Sequence, residues 1–362
     1  MSRLSNLWAH ITGSLFPTLE EVLDPLSEKQ RQFVAVCELA QLDRHMRRYA
    51  GHWLGRHKHA RLDFAKAFLA KAVYNLPTTK ALIEQLRVDR NLRMLCGWEF
   101  ACLVPSEATF SRAFAEFAAG GLGDVVHEAM VKEHCGAKLV GHVSRDSTSI
   151  HAREKALKQE KKPKVQRKRG RPKKGEQREP PPPKRLELQP ERSLEENVAD
   201  LPTACDWGRK KNSQGKVEDW KGYKLHADVI DGDIPISAIL TSASPHDSQV
   251  AIPLAQMSAG RVTSLYDLMD SAYDAEAIHD FSRRLGHVPI IDPNRRRGEA
   301  RELDAASKRR YKERSAAERF NSMLKDNHGG RHVRVRGARK VGLHLMFGVI
   351  AICATQILRL LE

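Results

Sequence analysis

The chain has 362 residues, enough to bury one large core or two ordinary ones. Hydrophobic residues at 41% and charged residues at 29% are ordinary globular values, which excludes wholesale disorder and collagen-like order. Sixty-one Lys and Arg against 45 Asp and Glu leave a net charge of +16, which favours a polyanionic partner such as nucleic acid. Residues 1–15 show no signal-peptide pattern. Six cysteines without a Cys-x2-Cys pair argue against a zinc site and predict reduced thiols in a cytoplasmic protein.

Up to about residue 136 the chain predicts helices. Phe64, Phe68, Leu69, Val73 and Leu76 recur at helical spacing, and Pro77-Thr78-Thr79 opens a helix bearing Ala81, Leu82, Leu86 and Leu92. Pro105-Ser106 starts another, with Phe110, Phe114 and Phe117 on one face and Gly120-Gly121 at its end. Ser111 and Arg112 should face outward, as on a DNA-recognition helix. The stretch from Cys96 to Pro105 is too long for an ordinary helix-turn-helix turn, so a purely structural bundle stays open as well.

Residues 139–146 are expected to form the first strand, with Asp146 at its end. The charge then concentrates. Residues 153–185 hold fifteen Lys or Arg against four Glu, so eleven of the sixteen excess positive charges lie there. Pro163, Pro172 and Pro180–Pro183 interrupt this stretch, and only Ala156, Leu157 and Val165 can join a core. It buries too little apolar surface to offset its ordering entropy, which predicts a disordered basic insert at about 151–200. Inside it, Arg169-Gly170-Arg171-Pro172 resembles an AT-hook. Gly170 lets the backbone approach the floor of a narrow minor groove, Pro172 fixes an extended exit, and two arginines meet the negative potential there. A generic basic linker, held to DNA by counterion release, is the alternative.

Beyond the insert, residues 222–230 and 234–243 read as a hairpin across Asp231-Gly232-Asp233. A helix over 248–257, a strand over 262–270, a helix over 274–284, a strand over 287–291 and a polar helix over 305–327 follow. That order resembles a ribonuclease H-like mixed sheet. The expected fold class is α+β or α/β: an N-terminal helical domain (1–136), then a ribonuclease H-like catalytic domain (137–362) interrupted by the insert. Residues 341–361 are apolar enough to raise a membrane span, but His344, Thr355, Gln356 and Arg359 favour a helix packed on a core.

Three acids fall at useful places on this map. Asp146 and Asp270 end strands, and Glu318 sits in the polar helix. Hard divalent cations take oxygen ligands, and three carboxylates can hold two ions about 4 Å apart to activate an attacking oxygen and stabilise a leaving one. Taken singly, an Asp at a strand end is commonly a turn or cap residue. At about 100° per residue, Tyr311, Arg314, Glu318 and Lys325 point to about 0°, 300°, 340° and 320°, so one helix face carries a carboxylate, a phenol and two phosphate-seeking cations. An ordinary solvated face with an i,i+4 ion pair is the plain alternative.

The spacing Tyr-x2-Arg-x3-Glu-x6-Lys at Tyr311, Arg314, Glu318 and Lys325 resembles the signature of bacterial insertion-sequence transposases of the DDE type. The resemblance extends to Asp146-Ser147-Thr148, to Asp270-x-x-Tyr273-Asp274 and to the helical stretch 64–117, thus to nearly all of the chain outside the insert. Ala272 departs from it, because many relatives carry Gly before the Tyr. The resemblance implies Mg²⁺-dependent cleavage of the element's ends and joining of the freed 3′-OH to target DNA. Asp146, Asp270 and Glu318 would be catalytic and hold two Mg²⁺ ions, with Mn²⁺ as a substitute. Arg314 and Lys325 would hold phosphates, and Tyr311 would orient a phosphate or the carboxylate. The implied partner is double-stranded DNA, both element ends and target, met by a homodimer in the bacterial cytoplasm at the nucleoid. Trp207 and Trp220 are stacking candidates or core residues, and His246-Asp247 is either support for the site or a helix cap. Two other functions stay open: a noncatalytic DNA-binding protein working through the AT-hook-like insert, and another ribonuclease H-like nuclease.

Overall fold

The computed structural model describes residues 25–49, 59–157, 183–211, 215–294 and 302–361. The helical part comes first: α1 (Glu28–Ala40), α2 (Arg61–Val73), α3 (Thr79–Val88), α4 (Arg90–Cys96), α5 (Glu107–Ala119) and α6 (Leu122–Cys135). Polar side chains cap three of these helices, whereas Ser106 at the start of α5 makes no cap bond. Ser27 and Gln30 form a capping box on α1, Thr78 caps α3 through Ala81 N at 3.0 Å, and Asp89 caps α4. Phe64, Phe68, Phe110 and Phe117 are all buried, and Phe64 meets Phe110 edge-on with ring centroids 4.8 Å apart. Ser111 and Arg112 are exposed on α5, as the spacing predicts.

A six-stranded mixed sheet follows. Its strands are β1 (Leu139–His151), β2 (Asp206–Lys211), β3 (Val217–Ile230), β4 (Ile234–Ser242), β5 (Thr263–Met269) and β6 (Val288–Ile291). β3 lies antiparallel to β1, β2 and β4, while β1, β5 and β6 run parallel, a topology consistent with a ribonuclease H-like sheet. The β3–β4 turn uses Gly232 at φ 81° and Asp233 at φ 62°, left-handed positions that Gly and Asp tolerate. At Gly222 a Cβ would stand 2.0 Å from the Ile150 carbonyl oxygen, so only glycine lets β1 and β3 close up there.

Three expectations need correction. The first strand does not stop at Asp146 but runs to His151, because Ser147, Thr148 and Ser149 keep pairing with β3 at His226, Leu225 and Lys224. The end of the expected insert is ordered from residue 183 on: α7 (Arg185–Leu188) and α8 (Leu194–Asp200, with a Ser193–Glu196 capping box) dock on the helix after β4. Asn197 is fully buried there, its Nδ2 bonded to Gln256 Oε1 at 2.9 Å. The AT-hook-like Arg169, Gly170, Arg171 and Pro172 lie outside the described residues. Third, the polar helix is broken into α11 (Ala305–Tyr311), a 3-10 turn (Lys312–Arg314) and α12 (Ser315–Asn327).

Helices cover both faces. α9 (Ser248–Ala259) and α10 (Glu276–Arg284) pack through Ile252, Phe281 and Met269 on one face. α12 packs Ala316, Ala317, Phe320 and Leu324 against Leu225, Ala227 and Val229 on the other. α13 (Ala338–Leu361) is long and apolar enough to cross a membrane, yet 83% of its apolar window is buried. Its Leu343, Phe347 and Ile350 belong to the same core as Phe64 and Phe110, while its Leu345 and Val349 join the core of β3 and α12. The core-helix reading stands.

Candidate active site

Strand register brings the first two acids together. Arg145 on β1 is the parallel partner of Met269 on β5, so the next residues, Asp146 and Asp270, stand level on adjacent strands about 4.8 Å apart. β1 continues after β5 has ended, which leaves an open notch in the sheet flanked by both carboxyls. Asp146 faces the α12 side with Ala227, its partner on β3, and accepts a hydrogen bond from Asn321 Nδ2 at 3.1 Å. Asp270 begins a 3-10 turn (Ser271–Tyr273) and accepts from Ala272 N at 2.9 Å. Ala272 is not among the residues with positive φ, so the methyl group meets no backbone strain in this turn.

Neither acid has a salt bridge among the described residues. The Asp146 carboxyl is pushed up to about 6, first by burial and then by the charge of Asp270, against the pull of the Ser147 amide, Arg314 and Lys210. Asp270 is raised as well, by burial and by Asp247. Two part-buried carboxyls that resist ionisation side by side are an oxygen donor set suited to a hard divalent cation. Glu318 is not turned toward them. It is exposed on α12 and paired with Arg314, one turn earlier. Among the described residues no three Asp, Glu, His or Cys side chains are gathered closely enough to hold an ion.

Two cations, Arg314 and Lys210, act on both acids of the notch. Burial works against the Arg314 charge, but Tyr311, Glu318 and Asp146 outweigh it and keep the guanidinium charged. The 3-10 turn places Arg314 over the Tyr311 ring at 5.6 Å, because three residues at 120° complete one turn. Ser144 holds that turn to β1 through the Glu313 carbonyl at 3.1 Å. Tyr311 lies in the field of Asp270, and burial pushes its phenol up to about 12. Lys325 is part-buried two turns beyond Glu318, and burial together with Lys210 and Arg331 lowers its pKa. Asn321 and Lys210 were missed from the sequence. Asn321 sits at offset 10 on the same face, near 280°, and was legible by the same arithmetic; β2, which carries Lys210, was not foreseen.

The remaining candidates separate. Trp220 is buried against Gly208 and is a core residue, whereas Trp207 is exposed on β2. Asp247 starts α9 but its side chain caps nothing. It pairs instead with Lys224 at 2.8 Å, accepts from Ser147 and acts on Asp270.

A mixed sheet with two acids level at a notch, in the field of Arg314 and Lys210, is an arrangement suited to phosphodiester chemistry. Residues 141–354, more than half of the chain, match the family model described as Transposase DDE domain, and residues 18–116 match the Transposase domain (DUF772). The chain belongs to the Transposase DDE domain family and is an enzyme of DNA transposition. No curated protein and no solved structure matches it.

Proposed function

We propose that this protein is a divalent-cation-dependent transposase of the insertion-sequence type, which cleaves the ends of its element and transfers the freed 3′-OH to target DNA. The observation that carries this reading is the level pairing of Asp146 and Asp270 at an open notch with no counter-charge in contact. Asp146 and Asp270 would hold the cation, Mg²⁺ or Mn²⁺, with Glu318, once rotated away from Arg314, as the third ligand. The bound cations supply activation of the attacking oxygen and stabilisation of the leaving one. Arg314, released from Glu318 and still braced on Tyr311, then receives a backbone phosphate as a charge-assisted donor. Lys325 and Lys210 hold flanking phosphates, and Asn321 fixes the Asp146 carboxyl. The proposed site therefore comprises catalytic Asp146, Asp270 and Glu318 with DNA-contacting Tyr311, Arg314 and Lys325. The outward face of α5 and the basic segment containing Arg169–Pro172 add DNA contacts, and a homodimer brings two ends together.

The test is cleavage of duplexes carrying the element's own terminal inverted repeats, with and without Mg²⁺. Wild type should nick at the repeat boundary only with the cation, and Asp146→Asn should not nick at all while still shifting the duplex in a gel. Cation-independent nicking, or nicking by Asp146→Asn, would sink the reading.

A further inference from the structure

Behind the notch, on the α9 face of the sheet, lies a set of polar groups that the transposition chemistry above leaves unused. Tyr273 is 1% exposed, its ring packed with Ile252, Met269 and Phe281, and its hydroxyl has no hydrogen-bond partner among the described residues. An unmet buried hydroxyl costs on the order of 1–3 kcal/mol, so its persistence calls for an oxygen that arrives later. Burial, then Asp247, Asp146 and Asp270, raise its pKa well above the ordinary value against the opposing charge of Arg145. The phenol therefore stays protonated and serves as both donor and acceptor.

His226 is a second such group. It is fully buried, its Nε2 meets Thr241 Oγ1 at 3.0 Å, and that hydroxyl donates to the Ser242 carbonyl at 2.9 Å. The proton therefore sits on Nε2, and Nδ1, also without a partner, is an acceptor. Asp247 lies in the field of both side chains, and Lys224 at 2.8 Å and the Ser147 hydroxyl keep it charged and fixed. Tyr273 and Asp247 thus stand beside two cation ligands, and the cationic groups that act on them, Arg145 and Lys224, are already bound to Asp228 and Asp247.

We infer that Tyr273 is a positioning residue of the cation site, its hydroxyl bonded to a water of the hydration shell of the cation that Asp146 and Asp270 hold. Mg²⁺, and Mn²⁺ in its place, keeps several waters when bound by few carboxylates, and each such water offers two polarised hydrogens. Tyr273 Oη, His226 Nδ1 and the Asp247 carboxylate would accept them and so steady the hydrated cation. This inference rests on the proposed function and deepens it.

The experiment measures free Mn²⁺ by electron paramagnetic resonance during titration of the full-length protein, alone and with a generic duplex. Tyr273→Phe keeps the ring in its apolar cluster, so its melting temperature and its duplex affinity in chelator should match wild type. Its Mn²⁺ dissociation constant should rise about tenfold, the usual effect of losing an outer-shell partner. Asp146→Asn serves as the control that removes a ligand. If wild type binds Mn²⁺ and Tyr273→Phe binds it equally well, Tyr273 is a core residue and the inference is overturned while the cation site stands. If wild type binds no Mn²⁺ under either condition, the cation reading itself falls and takes this with it. A large loss of melting temperature in Tyr273→Phe also overturns it, because the hydroxyl then has a structural partner.

Discussion

Arg145 and Asp146 are neighbours on β1 whose side chains leave the strand on opposite faces. Arg145 is 2% exposed, and its guanidinium makes two hydrogen bonds to the fully buried Asp228, at 2.8 and 2.7 Å. Ser258 donates to the same carboxylate at 2.6 Å. Both charges of that pair are answered within the chain. One residue later, Asp146 stands level with another acid, receives one amide from Asn321, and is pushed up to about 6. Burial alone therefore does not mark a working charge. What separates the two is whether the fold supplies the counter-charge, and at Asp146 the described residues place none in contact.

The sharpest way to break this comparison is to neutralise each side. Asp146→Asn should lower Mg²⁺-dependent cleavage by at least about 10³-fold, some 4 kcal/mol of barrier, yet leave the melting temperature equal or higher in chelator. A destabilised Asp146→Asn would mean that the notch is structural after all. Asp228→Asn should do the reverse, costing about 3–5 kcal/mol in urea denaturation because Arg145 stays buried without its partner.

Acid distinguishes the interior from the notch by sign. Burial lowers His226 to about 4 and His127 to about 3, both fully buried. Their unfolded pKa is about 6.5, so their contribution to stability is complete above that value and is lost as pH falls toward the folded values, by about 2 kcal/mol each at pH 5. Asp146 runs the other way: its folded pKa exceeds the unfolded one, so its penalty on folding is present above pH 6 and is relieved on acidification. Calorimetry from pH 7.5 to 5 should show wild type losing stability, with the Asp146→Asn advantage shrinking over the same range. A constant advantage would show that burial of the Asp146 charge is not its source.

The smallest effect belongs to the rim. Lys325→Ala should weaken duplex binding several-fold and reduce the log–log salt slope by about one, as one phosphate contact goes. An unchanged slope in gel shifts would leave Lys325 as a solvated helix residue.

Legibility followed the strength of local signals. The Phe110–Phe117 helix face, the Asp231-Gly232-Asp233 hairpin and the core role of α13 were readable, because periodicity and turn chemistry are written in adjacent residues. β2 was not, since Asp206–Lys211 shows no apolar alternation and pairs only because the first half of β3 offers it an edge. The extension of β1 was hidden by a Ser-Thr-Ser run that resembles a turn. α8 carried a readable capping box, Ser193-x-x-Glu196, which the basic composition upstream overrode. For the site, the place of Asp270 at the end of β5 and of Glu318 in a helix was legible, but not that β1 runs on past Asp146, nor the orientation of Glu318. The break at Lys312–Arg314 has no Pro or Gly to announce it; a tertiary bond from Ser144 holds it.

One feature of the packing bears on how the molecule comes into being. The helices made first on the ribosome share their core with α13, the helix made last among those described. Leu343, Phe347 and Ile350 must arrive before Phe68 and Phe117 are fully covered. The helical half therefore waits, partly exposed, until the sheet and everything between have been synthesised. A nascent chain in this state has its basic residues but no finished fold, so a translation product stopped short of α13 would be degraded or aggregate rather than act on DNA as an unregulated fragment.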